Sequence, residues 1–421
     1  MIQEMMDFVS MEAKSDSSMV AGMIVTVLGS KWNITVRYGL EYSTKLYHFV
    51  CGPSSRTRKS TSFGMVRKIC DLDTFKIGTV QALMKKLKKS PIAFSYHDEA
   101  SGLLKQMASD IRGEKGLGEM LNELITSAVN DTVSESETLA SLERGTTRDP
   151  NIIVEGEQHQ PVMSIRSPRL SMELLTTPKS LSYITSDELV GGGFFYRCLL
   201  CVPKPALLSE DDELSWNSGT AARIRRITEF ADRFSQIPDV AWYITVPDDI
   251  MRQILRGLTI EGEEDELEAY RTHLKTMAVK CAAIKCVDRM IELHTTPRPG
   301  ESFIISVADV DWTLTNVIRP AMYAFINMFK DITVNPYYTK IVQYIKMSTD
   351  TLIKVRGDGK NLKKALGLDS KLMNDFLADA IERAEARFIT IPNTNNVPVE
   401  YICKDDDCEG CERVGACQIR S

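Results

Sequence analysis

Between Leu46 and Cys201, short apolar runs alternate with segments of helical spacing, and this alternation limits the possible folds more than any other feature. "LYHFVC" reads as a strand and "KSTSFGMVRKI" as a helix. "TVQALMKKLKKS" is a helix with apolar residues at Val80, Leu83, Met84 and Leu87; its basic run "KKLKK" is a solvated face. "PIAFSYHDEA" is a strand and "SGLLKQMASDI" the helix after it. "RLSMELLTTP" is a third strand, ending in proline, and "GGGFFYRCLLCVP" is a glycine turn entering a further one. Strands joined through helices make crossover connections, and crossovers build parallel sheets. The expected core over 46–210 is therefore α/β, with a mostly parallel sheet.

The flanks differ. Residues 1–45 read as a helical segment, then a short strand around "WNITVRYG". Within it, "MVAGMIVTVLG" follows "EAKSDSS" rather than a basic stretch and falls far short of the roughly 20 residues that cross a bilayer. It is expected to be a buried helix, with no membrane association, no targeting segment and a cytoplasmic location. The polar segment Thr132 to Met163 reads as loop-rich. Residues 211–335 read as a helical region, with long patterns over Thr220 to Phe234, Glu266 to Leu293 and Asp311 to Phe329. Residues 336–403 have the order of a winged helix: "TKIVQYIKMS", "NLKKALGL" and "DSKLMNDFLADAIERAEA" as helices, the last capped by Asp369 or Ser370, and "RFITIPNTNNVPVEYIC" as a hairpin turning at "NTNN".

With 421 residues the chain is long enough for two or three domains. A net charge of −6 argues against a surface coated for nucleic acid, so any DNA contact is local. The third helix of the winged-helix-like segment carries Lys371 and Arg383 but also Asp375, Asp379, Glu382 and Glu385, a poor set for approaching phosphates. "NLKK" and "KVRGDGK" are better placed, and DNA contact and protein interaction both stay open for this segment. Cys51, Cys70, Cys198, Cys201, Cys281 and Cys286 sit in apolar runs and read as reduced core thiols. Cys198 and Cys201 form a C-x2-C pair, but on a strand they face opposite sides. In the tail over 404–421 and the residue before it, Cys403, Cys408, Cys411 and Cys417 have C-x4-C-x2-C-x5-C spacing. That suits zinc or an iron–sulfur cluster, and an acidic tail with free thiols is the alternative.

The chemistry concentrates after the first core strand. Gly52, Pro53, Ser54, Ser55, Arg56, Thr57, Arg58, Lys59, Ser60 and Thr61 follow an apolar strand and open a helix. A phosphate loop needs inward backbone N–H groups at a helix N-terminus, a lysine for the outer phosphates and a hydroxyl for magnesium. Gly52, Lys59 and Ser60 supply these. The usual pattern places lysine six positions after the first glycine. Here it comes seven after, and Arg58 stands where the second glycine belongs. An ordinary basic turn before a helix is the plainer reading. Asp98 and Glu99 follow the second strand about 40 residues past the lysine, where Asp98 would hold Mg2+ with Ser60 and Glu99 would orient or deprotonate water. A surface acid pair at a helix start is the alternative. Thr176 and Thr177 end the third strand, either sensing a γ-phosphate or turning before Pro178. Arg197 follows Gly191 to Gly193, a catalytic candidate or a surface arginine.

Together these motifs resemble a family of P-loop proteins described as primase-associated or helicase-like, found in phages, plasmids and integrated elements. The likeness rests on "GPSS…RKST" (Gly52 to Thr61), "HDEASGLL" (His97 to Leu104), "TTP" (Thr176 to Pro178), "GGGFFYR" (Gly191 to Arg197) and "LKTMAVKCAAIKCV" (Leu274 to Val287), across roughly Ser18 to Lys330. The arginine-before-lysine variant recurs in that family. The resemblance implies a RecA/AAA+-like P-loop NTPase core using ATP and Mg2+, to which the residue patterns add the following helices and the C-terminal winged helix. It also implies a helicase-like role in mobile-DNA replication, with single-stranded DNA the favoured partner. It further implies that Arg197 completes a neighbour's site in a homo-oligomer, a ring being one form. An ATP-binding switch or scaffold with slow turnover is the rival. A small-molecule phosphotransferase would need acceptor residues that the sequence does not display.

Overall fold

The computed structural model describes residues 1–53, 57–108, 116–129, 131–134, 164–178, 193–205, 220–259, 264–298, 300–329, 344–345, 352–355, 362, 387–392 and 398–403. The chain divides into two compact units, Met1–Asn327 and Met328–Ser421.

The first unit is α/β and built on a mostly parallel sheet, as the strand–helix alternation requires. β3 (Tyr47–Cys51), β4 (Ile92–His97), β7 (Arg169–Thr176) and β8 (Cys198–Cys201) form a four-stranded sheet in the order β4-β7-β3-β8. All three pairings are parallel. α3 (Lys59–Ile69), α4 (Val80–Lys89), α5 (Ser101–Ala108) and α6 (Leu117–Thr126) lie in its connections. α4 shows how sequence sets the face: Val80, Leu83, Met84 and Leu87 are buried while its lysines stay at the surface. β5 (Thr132–Ser134) and β6 (Ser164–Arg166) pair antiparallel, and the rest of the polar segment, 135–163, lies outside the described residues.

α1 (Ile2–Ala13) precedes α2 (Ser17–Lys31). α2 is apolar on every side, with Met19 to Gly29 buried without a break. A helix of that kind needs cover all round. It has it, packed on all four strands of the central sheet and flanked by α1 and α3. Its start is fixed by Asp16, whose carboxylate accepts the Ser18 N–H at 2.9 Å.

Beneath α2 lies a buried polar pair. His48 on β3 and Glu173 on β7 are register partners, and His48 Nδ1 is 3.0 Å from both carboxylate oxygens. Burial outweighs the support from His48 and holds the Glu173 carboxyl above the usual carboxylate range.

The region expected to be purely helical also carries strands. α7 (Thr220–Ser235), α8 (Asp248–Gly257), the 29-residue α9 (Glu264–Glu292), α10 (Val307–Thr313) and α11 (Arg319–Phe329) are present. β9 (Trp242–Thr245) and β10 (Ser302–Ile304) are interleaved with them. With β1 (Ile34–Tyr38) and β2 (Leu40–Ser43) these strands form a second sheet, ordered β10-β9-β1-β2, in which only the β1–β2 pairing is antiparallel. Strands of three or four residues are too short to show a period of two. β9 is defined by β1, from the other end of the unit, and β10 by β9.

In the second unit, β11 (Leu352–Lys354), β12 (Arg387–Pro392) and β13 (Pro398–Cys403) form an antiparallel sheet ordered β11-β13-β12. The expected hairpin pairing is seen in β12 and β13. Its "NTNN" turn, most of the three helices, and Cys408, Cys411 and Cys417 lie outside the described residues. No described helix is long and apolar enough to cross a membrane. Cys51, Cys70, Cys198, Cys201, Cys281 and Cys286 are free and buried, as their apolar settings imply.

The α2–sheet contact yields a stability test. A Cβ on Gly22 would stand 2.3 Å from Nε2 of His48, a ring that Glu173 holds in place. Alanine gains about 1 kcal/mol of helix propensity over glycine, while overpacking costs about 1–3 kcal/mol. At 2.3 Å the clash lies at the upper end of that cost, so Gly22→Ala should lower stability by a net of about 2 kcal/mol and the denaturation midpoint with it. An unchanged or raised midpoint would contradict this packing.

Candidate functional site

Because β3, β4 and β7 are parallel, their carboxyl ends, Cys51, His97 and Thr176, share one edge of the sheet. In sheets of this kind ligands bind in the crevice outside that edge. The Gly52 N–H donates to Thr176 O at 3.2 Å and ties the loop to the neighbouring strand end. A Cβ on Gly52 would lie 2.9 Å from Pro203 Cγ and 3.0 Å from Thr57 Cγ2, so glycine is required there. Thr57, buried, donates its hydroxyl to Pro53 O at 2.7 Å and closes the described part of the loop. Ser54, Ser55 and Arg56 lie outside the described residues.

Arg58 has φ 51° and ψ 28°, the left-handed conformation, and immediately precedes α3. The position thus retains the backbone that a glycine would adopt, at a cost of about 1–2 kcal/mol for a residue with a Cβ. Lys59 opens α3 and is buried; its Nζ donates to Gly52 O and, at 3.4 Å, to Pro53 O. Burial holds the Lys59 amine below its usual range, against the opposing pull of Cys51, Glu99 and Asp98. Ser60 is exposed, and Thr61 follows it on α3, half-buried.

The acid pair arrives at the same place. Ser60 Oγ donates to Asp98 Oδ1, and the Tyr96 hydroxyl donates to the same oxygen at 2.9 Å. Burial, then the bond to Asp98, pushes the Tyr96 hydroxyl well above its usual range. Glu99 Oε1 lies 3.5 Å from Thr176 Oγ1 and accepts the Ser101 N–H at 3.3 Å. Ala100 N–H donates to Leu175 O at 2.8 Å, which fixes where the acid pair leaves β4. Thr177, half-buried, directly follows β7. The structure therefore brings Gly52, Lys59, Ser60, Asp98, Glu99 and Thr176 together.

Arg197 stands elsewhere. It ends a short 3-10 turn, Phe195–Arg197, immediately before β8, and so lies at the amino edge of the sheet, opposite Gly52 and Asp98. Its Nη1 donates to Gly193 O at 2.7 Å, and its Nε is buried without a hydrogen-bond partner. This excludes any action of Arg197 on the site of its own sheet. The signal was present in the sequence: Arg197 precedes its strand, whereas Gly52, Asp98 and Thr177 follow theirs.

Sequence reasoning missed Tyr96 and His97. Both end the strand "IAFSYH", one on each face, and their position immediately before Asp98 was the signal.

The donors around Asp98 are hard oxygens, Ser60 Oγ, Asp98 Oδ1 and Tyr96 Oη, a set that fits Mg2+, which takes one or two carboxylates alongside substrate phosphates. Among the described residues no group of three or more His, Cys, Asp or Glu side chains is placed to hold a metal by itself. No protein-family model matches the chain, and no curated protein matches it.

His97 makes this edge sensitive to acid. Burial first, then Lys76, holds its imidazole down at about 4, and its Nε2 accepts the Ile77 N–H at 3.3 Å. A folded value below the unfolded one adds stability that is present above the unfolded value near 6.5 and is lost as pH falls towards 4. Between pH 7 and 4.5 this loss should come to about 2 kcal/mol. Urea denaturation of the parent and of His97→Gln at both pH values measures it. Equal pH slopes in the two proteins would contradict it.

Proposed function

We propose that the first unit binds Mg·ATP at the carboxyl edge of its parallel sheet and hydrolyses it, as a P-loop NTPase of the RecA/AAA+ kind. The observation that carries the reading is the contact of Ser60 on α3 with Asp98 beyond β4, beside Lys59 and Glu99. It joins two motifs far apart in sequence at the place where a nucleotide's outer phosphates and a magnesium ion would meet. The chain gives the third strand, β7, a position between the loop strand and the acid strand, which leaves Thr176 flanked by Gly52 and Glu99.

The roles follow from chemistry. Backbone N–H groups at the start of α3 face the phosphates, and the helix dipole favours their charge. Lys59 turns its amine from its own loop carbonyls to the β- and γ-phosphate oxygens. Mg2+, held by Ser60 and Asp98, would neutralise charge on those same oxygens. Glu99, kept at the edge by Thr176 and the Ser101 N–H, orients a water and takes its proton. The water oxygen bonds to the γ-phosphorus as the bond to the β–γ bridging oxygen breaks, giving ADP and phosphate. Thr177 stands within the same edge to meet the γ-phosphate. Arg197 can serve only a neighbouring subunit whose carboxyl edge faces this subunit's amino edge, after its guanidinium leaves Gly193 O. A homo-oligomer or ring is therefore part of the proposal.

The family resemblance supports action on DNA during replication of a mobile element, single strands first, with the second unit as its winged helix. Zinc on Cys403, Cys408, Cys411 and Cys417 is proposed from spacing alone.

Two variants test the site. Lys59→Ala should abolish ATP turnover, and near-parent turnover would overturn the assignment. Glu99→Gln should bind ATP as the parent does but turn it over about 100-fold or more slowly, the usual size of a lost general base. Equal loss of binding would make Glu99 a structural or metal-binding residue. A parent no faster than Glu99→Gln would favour the nucleotide switch over the hydrolase.

A further inference from the structure

Beside the phosphate loop, on the β8 side, lies a cleft of about 1000 Å³ that the proposed chemistry does not use. It is the size of a small-molecule site. One wall is the turn between α1 and α2 together with the chain leaving β8; the other is the stretch from Thr315 to Asn327, which includes most of α11. It adjoins the loop directly. Pro203, in the first wall, is the residue that crowds Gly52, and Ser15 in the same wall shares a 2.9 Å hydrogen bond with Ser62 on α3.

The second wall carries a regular stripe. Thr315, Arg319, Tyr323 and Asn327 recur every four residues, are exposed, and all line the cleft. The other side of this stretch is core: Val317, Ile318, Ala321, Met322 and Phe325 are buried. Phe325 stacks on Tyr270 with ring centroids 4.5 Å apart, which holds the wall in place. Tyr323, 55% exposed, is the aromatic side chain among the residues lining the cleft.

Charge points the same way. Lys14, Lys204 and Arg319 line the cleft, and Asp16 is its acid. The Asp16 carboxylate is already engaged, accepting Ser18 N–H at 2.9 Å, Ser18 Oγ–H at 2.6 Å and Lys204 N–H at 3.1 Å. The cleft therefore carries a local positive excess on a chain of net charge −6. It suits a ligand that is anionic at one end and has a flat ring at the other. Asn327 adds an amide whose donor–acceptor pair matches the N6/N7 edge of adenine.

We propose that this cleft takes the ribose and base of the nucleotide whose phosphates the loop holds, with the base stacked on Tyr323 and the cations beside the α-phosphate. The proposal rests on the Mg·ATP reading and deepens it by naming the part of the chain that recognises the nucleoside.

The test compares Mg·ATP with magnesium tripolyphosphate, which has the phosphates but no nucleoside, by calorimetric titration of the full chain. The parent should bind both and prefer ATP. Tyr323→Ala should weaken ATP binding about tenfold or more, the effect of one lost base–aromatic stack, and leave tripolyphosphate binding unchanged. Tyr323→Phe should bind both ligands as the parent does. A parent that binds the two equally, or a Tyr323→Ala protein that keeps the full preference for ATP, overturns the cleft assignment and leaves the phosphate loop standing. A parent that binds neither overturns both readings.

Discussion

β3 is hydrogen-bonded in parallel to β7 on one side and to β8 on the other, and parallel strands cannot be joined by tight turns. Each must be reached by a crossover connection, so every strand of the sheet ends on the same edge. That constraint assembles the candidate site. The loop at Gly52, the acids at Asp98 and Glu99 and the threonine at Thr176 come from three segments far apart in sequence, and parallel register places them at one edge. It also sends Arg197, which precedes its strand, to the opposite one.

The sheet is in turn held by what covers it. α2 is apolar all round and packs on all four strands, which explains both its lack of a polar face and the need for glycine where His48 approaches. The His48–Glu173 pair sits inside this layer, linking the loop strand to its neighbour. Removing either partner would leave a buried polar group unpaired, which costs more than the pair contributes. The strand before Gly52 is thus fixed from beneath by packing and from the side by a polar link. Arg58 has the left-handed backbone that glycine adopts most easily, at the entry to α3.

Much of this was legible in the residues. The α/β core, its parallel character, the buried α2, the loop–helix junction and the β12–β13 hairpin all follow from periodicity and turn chemistry, which are local. What was not legible depends on long-range pairing. β9 and β10 are four and three residues long; β9 becomes a strand only against β1, and β10 only against β9, so the region 211–335 reads as helices alone. The bond between Ser60 and Asp98 is an outcome of strand order, which spacing can suggest but not fix. The cleft is drawn from three separate stretches, and only its second wall left a trace: Thr315, Arg319, Tyr323 and Asn327 at intervals of four in "TNVIRPAMYAFIN".

The central claim is that the carboxyl edge is a phosphate and magnesium site. A crystal structure of the full chain grown with Mg2+ and a non-hydrolysable ATP analogue tests it most directly. The account predicts that the outer phosphates lie at the start of α3 within hydrogen-bonding reach of Lys59 Nζ, with Mg2+ among Ser60, Asp98 and the phosphate oxygens, and Glu99 facing the γ-phosphorus. An analogue bound elsewhere on the chain, or a loop without ligand at a saturating concentration, would contradict it.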